Sequence, residues 1–334
     1  MAVPFRSFRL LLLAAGAASL LAAQAPSQPQ PLFGLVIHGG AGNVTRARVS
    51  AAGEKAYRDG LVRALAAGYA VLDQGGSSLD AVQAAVTAME DNPLFNAGVG
   101  ATITAAGEHE LDAAIMDGRT LAAGSVAGIK HVKSPIALAR RVMEKTPHVM
   151  LIGAGAEAFA QAQGLPMVAN EYFRTPAQWA TYQKLKAREK APEPLTPKDT
   201  VGAVALDRRG NLASATSTGG MLNKMPGRVG DAPLIGIGTY ASNATCAVSC
   251  TGWGEFFIRA VVAYDVSAQM LYRGLPLLQA AQNSLDKALA LGGDGGLIAL
   301  DAKGHVAVVF NTKGMFRGFR LSDGSGTVQM FGAE

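Results

Sequence analysis

Thr200 stands at a junction that can support covalent chemistry. Upstream, Ala191-Pro192-Glu193-Pro194-Leu195-Thr196-Pro197-Lys198-Asp199 closes a stretch, 184–199, too poor in apolar residues and too rich in proline to pack, which reads as a solvated linker. Downstream, Val201-Gly202-Ala203-Val204-Ala205-Leu206 reads as a core strand. A cut between Asp199 and Thr200 would free a threonine amine at the end of a rigid element. A threonine hydroxyl is a weak nucleophile alone, but a terminal α-amine, with a pKa of roughly 7.7–8.0, can serve as its base near neutral pH. The residue is also an ordinary strand-opening threonine, and the junction by itself does not separate the two readings.

Further residues of the right type follow within about fifty positions. Thr218 closes the strand expected to pair with Val201–Leu206, so its hydroxyl can lie beside the nucleophile; a threonine finishing a strand is the plainer account. Arg228 and Asp231, three apart in a Pro/Gly loop, could grip the α-carboxylate and α-ammonium of one amino acid. An exposed loop ion pair, contributing about 0–1 kcal/mol, is the alternative. Thr251-Gly252 opens a helix after a strand, so a hydroxyl and backbone N–H could point at a developing oxyanion, although Thr251 is equally a good N-cap.

These residues need elements to hold them. The apolar pattern predicts a strand over Gly34–His38, helices over Gly53–Leu72 and Ser78–Glu90, and a glycine-rich region from Asn96 to Gly128. It predicts a helix over Pro135–Lys145, a strand and helix within Val149–Gln163, and an amphipathic stretch over Pro176–Lys190. Beyond Thr200 come hairpins, Val201–Leu206 with Leu212–Ser217 and Leu297–Leu300 with Val306–Phe310, each turning through Ala-Leu-Asp-x-x-Gly. Helices over Glu255–Tyr272 and Leu277–Ala290 separate them. Hairpin strands with segregated helices point to an α+β fold of stacked antiparallel sheets covered by helices.

The N-terminus reads as a leader. Arg6 and Arg9 precede the Leu/Ala run Leu10–Leu21, too short to span a bilayer with margin, and Ala23-Gln24-Ala25 is a cleavage signal. A signal peptide over 1–25 makes the protein exported, periplasmic or secreted, with no membrane span once mature. Pro26 sits awkwardly after a cut at Ala25, so a cut after Ala23 or an uncleaved, tethered leader also fits. Pro26–Pro31 reads as a spacer.

Removing Arg6 and Arg9 lowers the net charge of +5 to +3, and with 6% aromatic residues and no basic cluster nothing points to nucleic acid. With 49% hydrophobic residues, the ~300 residues after the leader can bury a large core. Cys246 and Cys250 would lie ~13 Å apart in an extended segment, beyond disulfide reach, and read as small buried hydrophobes. The five histidines, His38, His109, His131, His148 and His305, show no metal-ligand spacing. Gly153-Ala154-Gly155 lacks the third glycine of a dinucleotide fingerprint.

Taken together, Thr200-Val201-Gly202, Thr216-Ser217-Thr218-Gly219-Gly220-Met221, Asn223-Lys224, Pro226-Gly227-Arg228-Val229-Gly230-Asp231 and Thr251-Gly252-Trp253-Gly254-Glu255 resemble the plant-type asparaginase/isoaspartyl peptidase family of N-terminal nucleophile hydrolases. Ile37-His38-Gly39-Gly40-Ala41-Gly42, Pro93-Leu94-Phe95-Asn96-Ala97-Gly98-Val99-Gly100, Glu110–Gly118 and Gly293–Ile298 extend the likeness in the family's order from about Phe33 to the C-terminus. The resemblance implies a four-layer αββα sandwich and self-cleavage between Asp199 and Thr200. The products are an α subunit over 26–199 and a β subunit over 200–334, assembled as a dimer of αβ heterodimers. It implies hydrolysis of β-aspartyl dipeptides and L-asparagine to L-aspartate through an acyl-enzyme on Thr200. Thr218 is then the orienting hydroxyl, Thr251 and Gly252 the oxyanion site, Asn96 a further polar contact, and Arg228, Asp231 and Gly254 the substrate site. No cofactor is implied for catalysis. A structural sodium ion on the main-chain carbonyls of Met89, Glu90, Asn92, Phe95, Ala97 and Val99 is.

Two positions depart from that pattern. Asp199 replaces the usual glycine before the nucleophile, as in the related glycosylasparaginases and taspases, although the Thr218–Met221 and Asn223-Lys224 set is plant-type and Asp231 suits a free α-amine. Trp253 stands where smaller or polar residues are usual, which narrows the leaving-group side. A glycosylasparaginase-like hydrolase and an uncleaved periplasmic protein that holds an amino acid through Arg228 and Asp231 are the other readings.

Overall fold

A computed structural model describes residues 1–2, 32–187 and 200–332. The expected leader and spacer, the linker from residue 188 and Asp199 lie outside the described residues. In chain order the elements are β1 (Gly34–Gly42), α1 (Ala51–Asp73), α2 (Ser78–Glu90), β2 (Leu111–Asp117), β3 (Ala123–Ile129), α3 (Pro135–Lys145), β4 (Met150–Ile152), α4 (Gly153–Ala162) and α5 (Pro176–Ala187). After Thr200 come β5 (Val201–Leu206), β6 (Leu212–Thr218), β7 (Thr239–Ala241), β8 (Cys246–Gly252), α6 (Gly254–Ala260), α7 (Val262–Arg273), α8 (Leu277–Ala290), β9 (Gly295–Asp301), β10 (Val306–Phe310), β11 (Gly314–Leu321) and β12 (Gly326–Phe331).

Eight strands form one sheet in the order β12-β11-β1-β5-β6-β2-β3-β4, and four form a second in the order β10-β9-β8-β7. Pairing is antiparallel throughout except between β3 and β4. Three apolar layers show how the sheets stack. Leu35, Ile37, Val201, Ala203, Ala205, Ala213 and Ala215 pack against α1, α2 and α3. Val36, Val204, Leu206 and Leu212 instead meet Ala247, Ile298 and Leu300 of the second sheet. Cys246, Val248, Cys250, Leu297 and Ala299 face α7 and α8. The result is helices, sheet, sheet and helices, the αββα sandwich expected above. Strand parity follows from the two-residue period: in β5 and β6 the even-numbered residues face the inter-sheet layer, and in β8 the odd-numbered ones do.

Three expectations change. Leu111–Asp117 and Ala123–Ile129 lie in the stretch read as a glycine-rich region, yet they are strands. Both are covered on two faces, so apolar/polar alternation, the usual strand signal, is missing. The segment expected as one helix over Glu255–Tyr272 is two, because Val261 adopts a left-handed conformation, φ 54° and ψ 47°, and ends α6. Residues 184–187, assigned to the linker, complete α5. Both Ala-Leu-Asp-x-x-Gly hairpins form as expected. Asp207 Oδ1 accepts from the Arg209 and Asn211 N–H groups, Asp301 Oδ1 from those of Lys303 and His305, and Gly210 and Gly304 supply the positive φ. Cys246 and Cys250 are free and buried on β8, and burial pushes the Cys246 thiol up to about 12.

Candidate active site

β5 begins one residue after Thr200, and the even-numbered parity of β5 turns the Thr200 side chain into the inter-sheet layer, where it is buried. On the neighbouring strand Thr218 has the same parity. The Thr200 hydroxyl donates to Thr218 Oγ1 at 3.1 Å, and the same oxygen accepts the Gly220 N–H at 2.9 Å. Thr218 is therefore held by the turn that follows it. Asn96 braces that turn: its Nδ2 donates to the Gly220 carbonyl at 2.7 Å, its Oδ1 accepts from Thr102 N–H at 2.8 Å, and its own carbonyl accepts from Gly219 N–H at 3.1 Å.

The second wall comes from the end of β8 and the start of α6. Thr251 shares its face with Ser249, and its hydroxyl is buried without a hydrogen-bond partner among the described residues. An orphaned buried hydroxyl costs about 1–3 kcal/mol, a cost that a bound oxyanion would offset. Gly252 follows at φ 148°, where a Cβ would stand 2.5 Å from the Asp294 carbonyl. Trp253, half-buried, packs edge-on against Phe256 at 5.2 Å between centroids and caps α6.

Arg228 and Asp231 do not form the loop ion pair that their spacing offered. Arg228 Nε and Nη2 donate to the two carboxylate oxygens of Glu255 at 2.9 and 2.8 Å. Its Nη1 faces Gly220 and Gly230, where a Cβ would stand 3.3 and 2.9 Å from it, so that edge of the fork looks onto a space kept clear by glycines. Asp231 is buried, and its Oδ2 has no hydrogen-bond partner among the described residues. Burial, partly offset by the nearby Arg228 charge, lifts its pKa to about 6. A Cβ on Gly254 would stand 2.9 Å from Asp231 Oδ1, so any larger residue there would cover the carboxylate. One free guanidinium edge and one unpartnered oxygen of a buried carboxylate match the two charged groups of an α-amino acid.

Beside this wall, Lys224 and Asp112 form a fully buried pair, 3.8 Å apart, with Lys224 Nζ also donating to the Glu110 carbonyl at 3.0 Å. Sequence reasoning singled out Lys224 only as part of a motif. It missed Glu255 as the partner of Arg228 and Ser249 as a site residue, and counted His38 only among the histidines and within a motif. The available signal was parity: Ser249 lies two residues before Thr251 on one strand face.

The loop expected to hold sodium lies behind Asn96. The Glu90 and Asn92 carbonyls accept from Val99 and Phe95 N–H groups at 2.7 and 3.1 Å, which leaves each of these two oxygens a second lone pair, while the Met89 carbonyl accepts from both Asn92 and Asp91 N–H groups. A Cβ on Gly98 would lie 2.3 Å from the Glu90 carbonyl oxygen and one on Gly100 2.5 Å from that of Phe95, so the backbone is folded tightly over these oxygens. An all-oxygen carbonyl set of this kind fits a hard cation. The Glu90 side chain points elsewhere, accepting from Ser134 Oγ, Ser217 Oγ and Ile136 N–H; burial raises its pKa to about 7.

A buried threonine hydroxyl at the head of a central strand, inside an αββα sandwich, defines an N-terminal nucleophile hydrolase architecture. The family model described as Asparaginase matches residues 30–330. The chain belongs to that family. It is 50% identical to the isoaspartyl peptidase of Escherichia coli (strain K12), over 89% of this chain and 95% of that one. It is 44% identical to the isoaspartyl peptidase/L-asparaginase of Bos taurus over 84% and 91%, and 41% identical to the probable isoaspartyl peptidase/L-asparaginase 2 of Arabidopsis thaliana over 87% and 97%.

Proposed function

We propose that this chain is a self-processing threonine amidohydrolase that releases L-aspartate from β-aspartyl dipeptides and L-asparagine. The observation that carries the reading is the Thr200 hydroxyl, buried at the head of β5 and 3.1 Å from a second hydroxyl that a backbone N–H holds in place. In processing, Thr200 Oγ1 bonds to the Asp199 carbonyl carbon as the Asp199–Thr200 C–N bond breaks, and the hydroxyl proton passes to the departing nitrogen. Water hydrolyses the resulting ester and leaves Thr200 with a free amine.

In turnover the amine takes the Thr200 hydroxyl proton while Oγ1 attacks the substrate's side-chain carbonyl. Thr251 and Gly252 face the oxyanion, Arg228 Nη1 the α-carboxylate and Asp231 the α-ammonium. The proton then passes to the leaving amine, ammonia from asparagine or the second residue's α-amine from a dipeptide. Water, deprotonated by the same amine, cleaves the acyl-enzyme. Trp253 borders the leaving-group side and favours partners that tolerate an aromatic wall. The carbonyls of Met89, Glu90, Asn92, Phe95, Ala97 and Val99 would hold a sodium ion that stiffens the loop behind Asn96.

Denaturing mass analysis tests the reading: two pieces are expected, the second spanning residues 200–334. A single uncut chain that hydrolyses β-aspartyl dipeptides would refute it. We also propose a dimer of αβ heterodimers, supported by the exposed Val261, Tyr264, Leu271 and Tyr272 around α7, with light scattering on the purified protein as the check. Export rests on the leader motif over 1–25, and N-terminal sequencing of the protein recovered outside the cytoplasm tests it. Among the described residues no helix is long and apolar enough to cross a membrane.

A further inference from the structure

His38 is buried on β1 with its ring between the two sheets. Its Nδ1 lies 3.0 Å from the Thr200 carbonyl oxygen and its Nε2 2.8 Å from Ser249 Oγ. A carbonyl can only accept, so Nδ1 carries the proton and Nε2 accepts from the Ser249 hydroxyl. Burial lowers the imidazole pKa to about 3, which keeps the ring in the neutral form this arrangement needs. Ser249, having given its proton to the ring, accepts from Thr216 Oγ1 at 2.7 Å; Thr216 Oγ1 lies 2.6 Å from Thr239 Oγ1, whose one proton is shared with the Ala232 carbonyl at 3.0 Å. The bonds run in one direction from Thr216 through Ser249 and His38 to the main chain of Thr200, with Thr239 of edge strand β7 packed behind Thr216.

β5 lies across this path. His38 pairs with Gly202, and a Cβ there would stand 2.0 Å from Ser249 Oγ and 2.4 Å from His38 Nε2. Glycine is thus what lets the imidazole and the hydroxyl meet across the strand. Thr200 itself precedes the first β5–β6 ladder pair, Val201 with Ser217, so regular strand pairing does not fix its carbonyl.

We infer that His38 is a positioning residue: with Ser249, Thr216 and Thr239 behind it, it fixes the carbonyl side of Thr200 and so aims the hydroxyl and the amine carried on the same Cα. The inference rests on Thr200 being the nucleophile. Its importance grows on processing, because the cut removes the covalent tether on the amine side and leaves the carbonyl side to set the residue's orientation.

The test compares His38→Asn with His38→Gln, using steady-state hydrolysis of a β-aspartyl dipeptide by chains that mass analysis shows to begin at Thr200. The Asn amide nitrogen overlays Nδ1 and restores the donor to the Thr200 carbonyl, whereas the Gln amide reaches the Nε2 position and Ser249 only. His38→Asn is expected to keep kcat within about tenfold of the parent and His38→Gln to lose about 10²-fold, the usual cost of misplacing a reacting group by about 1 Å. KM is expected to stay within about threefold in both, since His38 is not among the groups offered to substrate. Self-cleavage, which uses the same hydroxyl, is expected to slow in the same order. A Gln variant as active as the Asn variant, or both at the parent's kcat, overturns the inference. If neither variant folds, Ser249→Ala decides: without the donor to Nε2 the far side of the ring loses the hydrogen bond that holds it in place, and kcat is expected to fall about tenfold at constant KM, whereas an unchanged kcat overturns the inference. Failure of the nucleophile assignment itself would look different, as dipeptide hydrolysis by Thr200→Ala.

Discussion

Replacing Arg228 separates recognition of a free amino acid from the chemistry of bond cleavage. Its Nε and Nη2 already serve Glu255, so an incoming α-carboxylate meets the Nη1 edge rather than an open fork. Losing one such charge-assisted hydrogen bond costs about 1.5–3 kcal/mol. Arg228→Leu also removes the positive charge that helps keep Asp231 ionised, and a carboxyl whose pKa is already about 6 then binds the α-ammonium less well near neutral pH. Together the two effects approach ~3 kcal/mol, or about 10²-fold in kcat/KM. Stability is expected to change little, because Glu255 is left with 47% of its side chain in water. Self-cleavage is expected to continue, since the Asp199–Thr200 bond offers no free α-carboxylate. Glu255→Gln provides the converse: with the competing anion neutralised, KM is expected to fall about 2–5-fold, the scale of a partly exposed ion pair. The assay is hydrolysis of a β-aspartyl dipeptide and of the protein's own bond in the same preparations. An unchanged kcat/KM in Arg228→Leu would remove the residue from the substrate site, and loss of self-cleavage at an unchanged melting temperature would give its loop a role in processing instead.

Thr200→Ala is expected to remain one chain on a denaturing gel and hydrolyse nothing, while Thr200→Ser, which keeps a hydroxyl, is expected to cut slowly. Thr251→Val is expected to lower kcat about 10²–10³-fold at constant KM, and to leave the melting temperature unchanged or higher because an unpartnered buried hydroxyl disappears. The acid limb of log(kcat/KM) is expected to have unit slope where the Thr200 amine protonates, near 7.7–8.0, and to steepen toward two below about pH 6 as Asp231 also gains its proton. The sign follows from the raised pKa: the folded free enzyme protonates Asp231 at a higher pH than an ordinary carboxyl does. The kcat limb is expected to keep unit slope, because bound ammonium holds Asp231 ionised; a kcat/KM limb with unit slope down to pH 5 would count against Asp231.

The nucleophile strand was legible because its chemistry and its period coincide. Thr200 opens a strand whose alternate residues are small or branched, and Thr218 ends the strand that pairs with it. The two hairpins were legible for the same reason, since Asp207 and Asp301 fix both turns with one side-chain geometry. β2 and β3 were not, because a strand covered on both faces has no polar face. β3 also carries Gly124, which a propensity argument assigns to a loop, although here a Cβ would stand 2.0 Å from the Ala139 carbonyl and glycine lets α3 sit close. The partner of Arg228 was hidden in a different way. Glu255 is 27 residues away, across two strands, and no local spacing joins them. The spacing to Asp231 was real, but Arg228 bonds to Glu255 and leaves Asp231 Oδ2 without a hydrogen-bond partner among the described residues.

Sheet order also explains why a cut at residue 199 is compatible with a stable fold. In the eight-stranded sheet β1 lies between β11 and β5, and β2 pairs with β6. Strands from before the cut and strands from after it therefore hydrogen-bond to one another at three separate seams. Peeling them apart would expose two rows of backbone donors and acceptors on β1 and the apolar residues Leu35, Val36 and Ile37, all fully buried. One broken peptide bond leaves every one of those contacts intact. Its consequence would be confined to Thr200, where an amide nitrogen, which cannot take a proton at neutral pH, would become an amine that can. A cut there would supply a base without a dedicated side chain for it, and the groups around Thr200 would need only to hold the residue still.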